Sequence, residues 1–161
     1  MRALALAAGC VAMFLVGAAQ VPSHVQLSVS SVVWGAVVTQ PFGCTTLQLE
    51  PFDASCPSHH VHTGIDLAAP SGTDVHSATA GVALTGSDPE GAGNFVAVLV
   101  DARVRVLYCH LSAFAVRSGD SVWPGEVIGY VGATGLATGP HVHLQVDIAG
   151  VPVDPAKFLR S

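Results

Sequence analysis

The sequence predicts an all-β domain of antiparallel strands. Apolar residues recur with period two far more often than with period 3.6, the runs are short, and clusters of Gly, Pro, Asp and Ser separate them. In chain order, alternation marks strands at 36–39, 64–67, 74–77, 81–86, 94–100, 104–110, 127–131 and 143–148, and helix is expected to be nearly absent. Ahead of these, residues 3–19 carry no charged or strongly polar side chain, follow Arg2, and end in Val16-Gly17-Ala18-Ala19-Gln20. Such a run is at the lower limit for crossing ~30 Å of hydrocarbon, and its small terminal residues suit cleavage. Residues 1–19 are therefore read as a secretory signal peptide or an uncleaved membrane anchor. Residues 20–36 read as a lead-in of Ser, Val and Gln, and residues 37–161 as the domain.

Composition narrows the function. A chain of 161 residues suits one domain, and 50% hydrophobic against 11% charged residues, with a mean hydropathy of +0.55, excludes disorder. The net charge of -5, with only 6 Lys and Arg, leaves no basic stripe to displace counterions from a nucleic acid. Eight histidines outnumber Lys and Arg together. Imidazole is the commonest transition-metal ligand and a proton shuttle near neutral pH, so the placing of these histidines matters.

Three clusters could build one site. In His62-Thr63-Gly64-Ile65-Asp66, Gly64 beside β-branched neighbours argues for extended chain, in which His62 and Asp66 point the same way and reach one ion. In His141-Val142-His143-Leu144-Gln145-Val146-Asp147-Ile148, the apolar residues take one face and both histidines the other. In Tyr108-Cys109-His110-Leu111-Ser112, His110 continues the row of Val104, Val106 and Tyr108 and is expected at the mouth of a core. Together they supply His62, Asp66 and His143 as three N/O ligands for zinc, leaving a fourth position for water, as in catalytic sites. His110 and His141 remain as unligated imidazoles that could take a proton or stabilise an oxyanion, which is the apparatus of metal-assisted amide hydrolysis.

These residues resemble the lysostaphin-type (LytM-type) zinc metallopeptidases, bacterial and phage enzymes that cut peptide bonds in peptidoglycan. The resemblance covers about residues 41–155. It rests on His62-Thr63-Gly64-Ile65-Asp66-Leu67-Ala68-Ala69-Pro70, Tyr108-Cys109-His110-Leu111, Gly125-Glu126-Val127-Ile128-Gly129, Thr138-Gly139-Pro140-His141-Val142-His143 and Val153-Asp154-Pro155 in that order. It implies one zinc per chain bound by His62, Asp66 and His143, with His110 and His141 at the reaction centre. It also implies a compact antiparallel sheet with a substrate groove between loops, and a secreted or envelope-located enzyme acting on peptidoglycan peptide. The expected protein is a monomer, touching the membrane only through its amino-terminal segment if that is uncleaved. The alternative is an inactive relative that binds wall or regulates a partner amidase, but such a module would be expected to lack ligands that are all present here. A structural metal site would instead want a fourth protein ligand.

Against that family pattern, Cys44 and Cys56 close a short loop suited to a disulfide in an oxidising compartment. His60 shares parity with His62 but has no acid four residues on; His24 and His76 read as surface or packing residues, and Cys109 as a free thiol without a role. The bond cleaved would depend on loops near residues 88–94 and 136–138.

Overall fold

The structure, a computed structural model, describes residues 26–159, so the segment expected to target the chain, residues 1–19, lies outside the described residues, as does His24. Thirteen strands follow in order among them: β1 (Val37–Gln40), β2 (Gly43–Thr45), β3 (His60–His62), β4 (Ile65–Ala68), β5 (Asp74–His76), β6 (Gly81–Asp88), β7 (Gly93–Leu99), β8 (Val104–Leu111), β9 (Ala113–Phe114), β10 (Ser121–Val122), β11 (Val127–Tyr130), β12 (His141–Ile148) and β13 (Val151–Val153). One short helix, α1 (Pro155–Phe158), closes the series, its first turn capped by the Asp154 carboxylate. All pairings are antiparallel, as the alternation predicts. No helix among the described residues is long and apolar enough to cross a membrane.

The main sheet runs β1-β4-β12-β8-β7-β6-β10, with β13 beside β12; β5-β11-β9 form a second sheet and β2-β3 a separate hairpin. β12 shows why the site is where it is. Val142, Leu144 and Val146 are fully buried on one face, in one core with Val106, Tyr108, Val96 and Val98 of the neighbouring strands and Val75, Ile128 and Val131 of or beside the smaller sheet. Each such side chain gains about 1.5–3 kcal/mol from burial. A one-residue slip of β12 would turn all three outward, so the core fixes the register that places His141, His143, Gln145 and Asp147 together on the opposite face.

Two features differ from simple alternation. Val32 and Val33, within the segment read as a lead-in, are buried in the core, and the Val32 carbonyl oxygen accepts from the His76 N–H at 2.8 Å. His76 is a packing residue, its ring stacked on Trp34 with centroids 4.9 Å apart. In β8, Leu111 pairs with Asn94 but Tyr108 pairs with Val96, so Cys109 and His110 together face Phe95. This is a β-bulge, and His110 sits in it at φ 64°. The extra residue takes His110 out of the core row that its spacing from Tyr108 implies.

Candidate active site

The first ligand candidate comes from the hairpin and the other two from the main sheet. His62 ends β3, and Thr63-Gly64 carries the chain across to β4, where Asp66 stands directly opposite His143 of β12. The four-residue spacing is thus not that of one continuous strand; the chain changes sheets between the two residues. Gly64 permits this crossing, because a Cβ there would lie 2.5 Å from the Leu144 carbonyl oxygen and 2.7 Å from His143 Nε2.

His62 Nε2, Asp66 Oδ1 and His143 Nδ1 converge. Nε2 and Nδ1 are 2.9 Å apart, and each is 3.1 Å from the carboxylate oxygen. The three groups can hold a metal ion, their ligand atoms all lying within 4.8 Å of one another. His62 is wholly buried and donates Nδ1–H to the Pro41 carbonyl oxygen at 2.9 Å, which leaves the Nε2 lone pair facing the centre. Burial alone would raise the Asp66 carboxyl, but hydrogen bonds from His143 and His62, which these rings donate in their protonated form, hold it well below the usual carboxylate range. Burial likewise opposes charge on His62, yet the hydrogen bond to Asp66 leaves its pKa raised. Both shifts express one fact: this cluster stabilises positive charge at its centre.

The two remaining imidazoles flank the triad. His110 and His141 have ring centroids 4.7 Å apart, and His141 Nε2 lies 3.8 Å from Asp66 Oδ1. His110 donates Nδ1–H to the Thr134 carbonyl oxygen and His141 donates Nδ1–H to that of Gly139, each at 2.8 Å. Both rings therefore keep an Nε2 lone pair free to accept a proton. Burial lowers the His110 pKa below its ordinary 6.5, keeping that ring in its proton-accepting form. The bulge at Cys109–His110 and the loop carrying Thr134 thus do for His110 what plain alternation does for His141.

A groove of about 330 Å³ lies over these residues. Its floor includes His143, Gln145, Leu107 and Cys109. One wall holds Gly91, Ala92, Leu136 and Thr138, which fall in or beside the loops expected to set specificity. The other holds Leu47, Leu49, Glu50 and Pro51, within the loop closed by a Cys44–Cys56 disulfide, and sequence reasoning did not place them at the site. Cys109 is the free cysteine among the described residues; burial pushes its thiol up to about 12, so it is inert as a nucleophile at neutral pH. His60 is turned away, its Nδ1 bonded to the Glu50 carbonyl oxygen at 2.8 Å. Gln145 was also missed, although the alternation that places His141 and His143 on the groove face places it there too.

The pattern that defines Peptidase family M23 matches residues 60–155. The DD-carboxypeptidase/endopeptidase Mpg of Neisseria meningitidis is 48% identical over 95 residues, 59% of this chain and 22% of that protein. Among solved structures, the catalytic domain of the antimicrobial peptidase lysostaphin from Staphylococcus simulans superposes with a TM-score of 0.64 at 30% identity, covering 78% of this chain and 93% of that one. A zinc-containing peptidase from Vibrio cholerae superposes with a TM-score of 0.68 at 28% identity, covering 81% of this chain and 39% of that one. Lysostaphin of Staphylococcus staphylolyticus is 35% identical over 107 residues, 63% of this chain. The chain spans 22% of the length of each curated relative named here.

Proposed function

The chain belongs to Peptidase family M23, and from that membership we propose that it is a zinc-dependent endopeptidase that hydrolyses peptide bonds in bacterial peptidoglycan outside the cytoplasm. The observation that carries this reading is the convergence of His62 Nε2, Asp66 Oδ1 and His143 Nδ1 beneath two further imidazoles in an open groove. The donor set fits zinc: it is two imidazole nitrogens and one carboxylate oxygen, 2.9–3.1 Å from one another, and with His62 neutral its Nε2 lone pair faces the Asp66 oxygen, a repulsion that a cation or a ring proton relieves. Relatives named as peptidoglycan DD-endopeptidase and as lysostaphin support the substrate class.

Zinc bound by His62, Asp66 and His143 supplies a Lewis acid that polarises the scissile carbonyl and acidifies water. The protein does the rest. The groove holds an extended peptide across the sheet. His110 and His141, each anchored through Nδ1, offer Nε2 to take the proton of the attacking water and, once protonated, to deliver one to the leaving amine. The second reading, an inactive wall-binding or amidase-regulating module, fits less well, because all five site residues are present and converge. Zinc content measured on the purified protein, beside release of new amino groups from peptidoglycan with and without chelator, tests the proposal. One zinc per chain with chelator-sensitive release is the expected result; zinc without release favours the inactive module, and no zinc overturns the ligand assignment.

A further inference from the structure

Four imidazoles meet at the site, and each works only if the correct nitrogen carries the hydrogen. For His62, His110 and His141 the choice is made by main-chain carbonyl oxygens of Pro41, Thr134 and Gly139. His143 alone among the four lacks such a partner. Its outer nitrogen, Nε2, lies 3.2 Å from the Gln145 side-chain oxygen. An amide offers either hydrogen-bonding sense, so Gln145 alone does not decide which nitrogen of His143 is protonated.

The next residue on the same face decides it. Asp147 is 1% exposed, a burial that a carboxylate tolerates only when paired. Its partner is Arg105, directly opposite on β8, which donates Nε at 2.8 Å and Nη2 at 2.7 Å to Oδ2. The other oxygen, Oδ1, lies 2.7 Å from Gln145 Nε2. A carboxylate only accepts, so the end of Gln145 that faces it must be the NH₂ group. The amide oxygen then points toward the triad, where it accepts from Thr63 Oγ1 at 2.7 Å and from His143 Nε2–H. His143 is left with its lone pair on Nδ1, the nitrogen that faces His62 and Asp66.

We propose that Asp147, acting through Gln145 and itself fixed by Arg105, sets the tautomer of His143 and so prepares the third zinc ligand. Gln145 and Asp147 are positioning residues. Turning the amide over would place its oxygen against the Asp147 carboxylate and its NH₂ against His143 Nε2, driving the hydrogen onto Nδ1 and into the metal position. The inference rests on the zinc reading above; in the metal-free protein Asp66 Oδ1, 3.1 Å from Nδ1, pulls the hydrogen the other way, and the inference predicts that Gln145 and Asp147 nonetheless hold it on Nε2.

Three variants test it: Asp147→Asn, which frees the amide to turn; Gln145→Leu, which removes the acceptor while leaving the Asp147–Arg105 pair intact; and the double variant Gln145→Glu/Asp147→Asn. In the double variant the introduced carboxylate can accept from both His143 and Thr63 while the introduced amide donates to it, so the sense of the chain is preserved. Zinc affinity is read by competition with a chromophoric chelator. The tautomer is read from imidazole ¹⁵N shifts of the metal-free protein at a pH where the rings are neutral, with thermal unfolding to confirm that each variant folds. Each single variant should weaken zinc binding about 10- to 100-fold, the usual effect of losing a group that orients a ligand. In both, His143 should lose its preference for hydrogen on Nε2, and the double variant should recover most of the affinity and the tautomer. Unchanged affinity and an unchanged His143 tautomer in the folded single variants would overturn the inference, as would a double variant no better than Asp147→Asn. Failure of the unmodified protein to bind zinc would sink the functional reading instead, and the ¹⁵N shifts would still decide the tautomer.

Discussion

Replacing Gly64 by alanine perturbs the fold and the metal position through a single atom. The added Cβ would sit 2.5 Å from the Leu144 carbonyl oxygen, which must retreat by about 0.9 Å to reach the 3.4 Å at which ordinary van der Waals contact begins. That carbonyl belongs to the β4–β12 ladder, in which Leu144 pairs with Ile65 and His143 with Asp66. Backbone cannot swing aside as a flexible side chain can, so the strain falls on the two strands that carry two of the three candidate ligands. Overpacking of this kind costs about 1–3 kcal/mol, and metal sites tolerate only about ±0.2 Å in ligand distance. Gly64→Ala should therefore lower the thermal midpoint of the metal-free protein by roughly 4 to 12 °C for a domain of this size. Zinc affinity, read by chelator competition, should fall at least about 10-fold. A variant that keeps both the midpoint and the affinity of the unmodified protein would refute the close-approach reasoning and the placing of His143 that depends on it.

Three further outcomes are expected. His143→Ala should abolish zinc retention, whereas His110→Ala should keep one zinc per chain and lose turnover about 10²- to 10⁴-fold, the usual contribution of a general base; metal analysis beside amine release separates the two. A lowered His110 pKa means that the neutral, proton-accepting ring persists as pH falls, and a cation at the triad would push it the same way. If His110 is the base, the acid limb of kcat/KM should lie below pH 6.5, and a limb above that value would count against the role. Converting Cys44 and Cys56 to serine opens a loop with a sequence separation of 12 and should cost about 3 kcal/mol on the chain-entropy account. Because β2, which carries Cys44, pairs with the strand ending in His62, zinc affinity should fall as well, and denaturation monitored with and without zinc would show both effects.

The sheet was largely legible in the sequence because its central strands obey alternation. In β12 the row Val142, Leu144, Val146 stands against His141, His143, and the burial of each residue follows it. The β2–β3 hairpin was not legible: its strands are three residues each, too short to display a period, and a disulfide steadies them. His110 reached the site by a route that periodicity cannot express, since a bulge adds one residue and reverses the face assignment beyond it. The wall formed by Leu47, Leu49 and Glu50 escaped notice for a related reason, as loop residues announce no face until the chain around them closes.

His62 and His143 are 81 residues apart, yet their ring nitrogens come within 2.9 Å. A cation held between them is a reversible cross-link across half the chain, and the unfolded polypeptide has no equivalent grip on it. Folding and loading then share one free energy: zinc at about 100 times its dissociation constant adds about 2.7 kcal/mol to stability, and withdrawing the metal takes that away. The lifetime of such a protein would then track the free zinc of its surroundings. Scarcity of the metal would empty the site and open the same protein to proteolysis, so that unloaded molecules are also the first to be cleared.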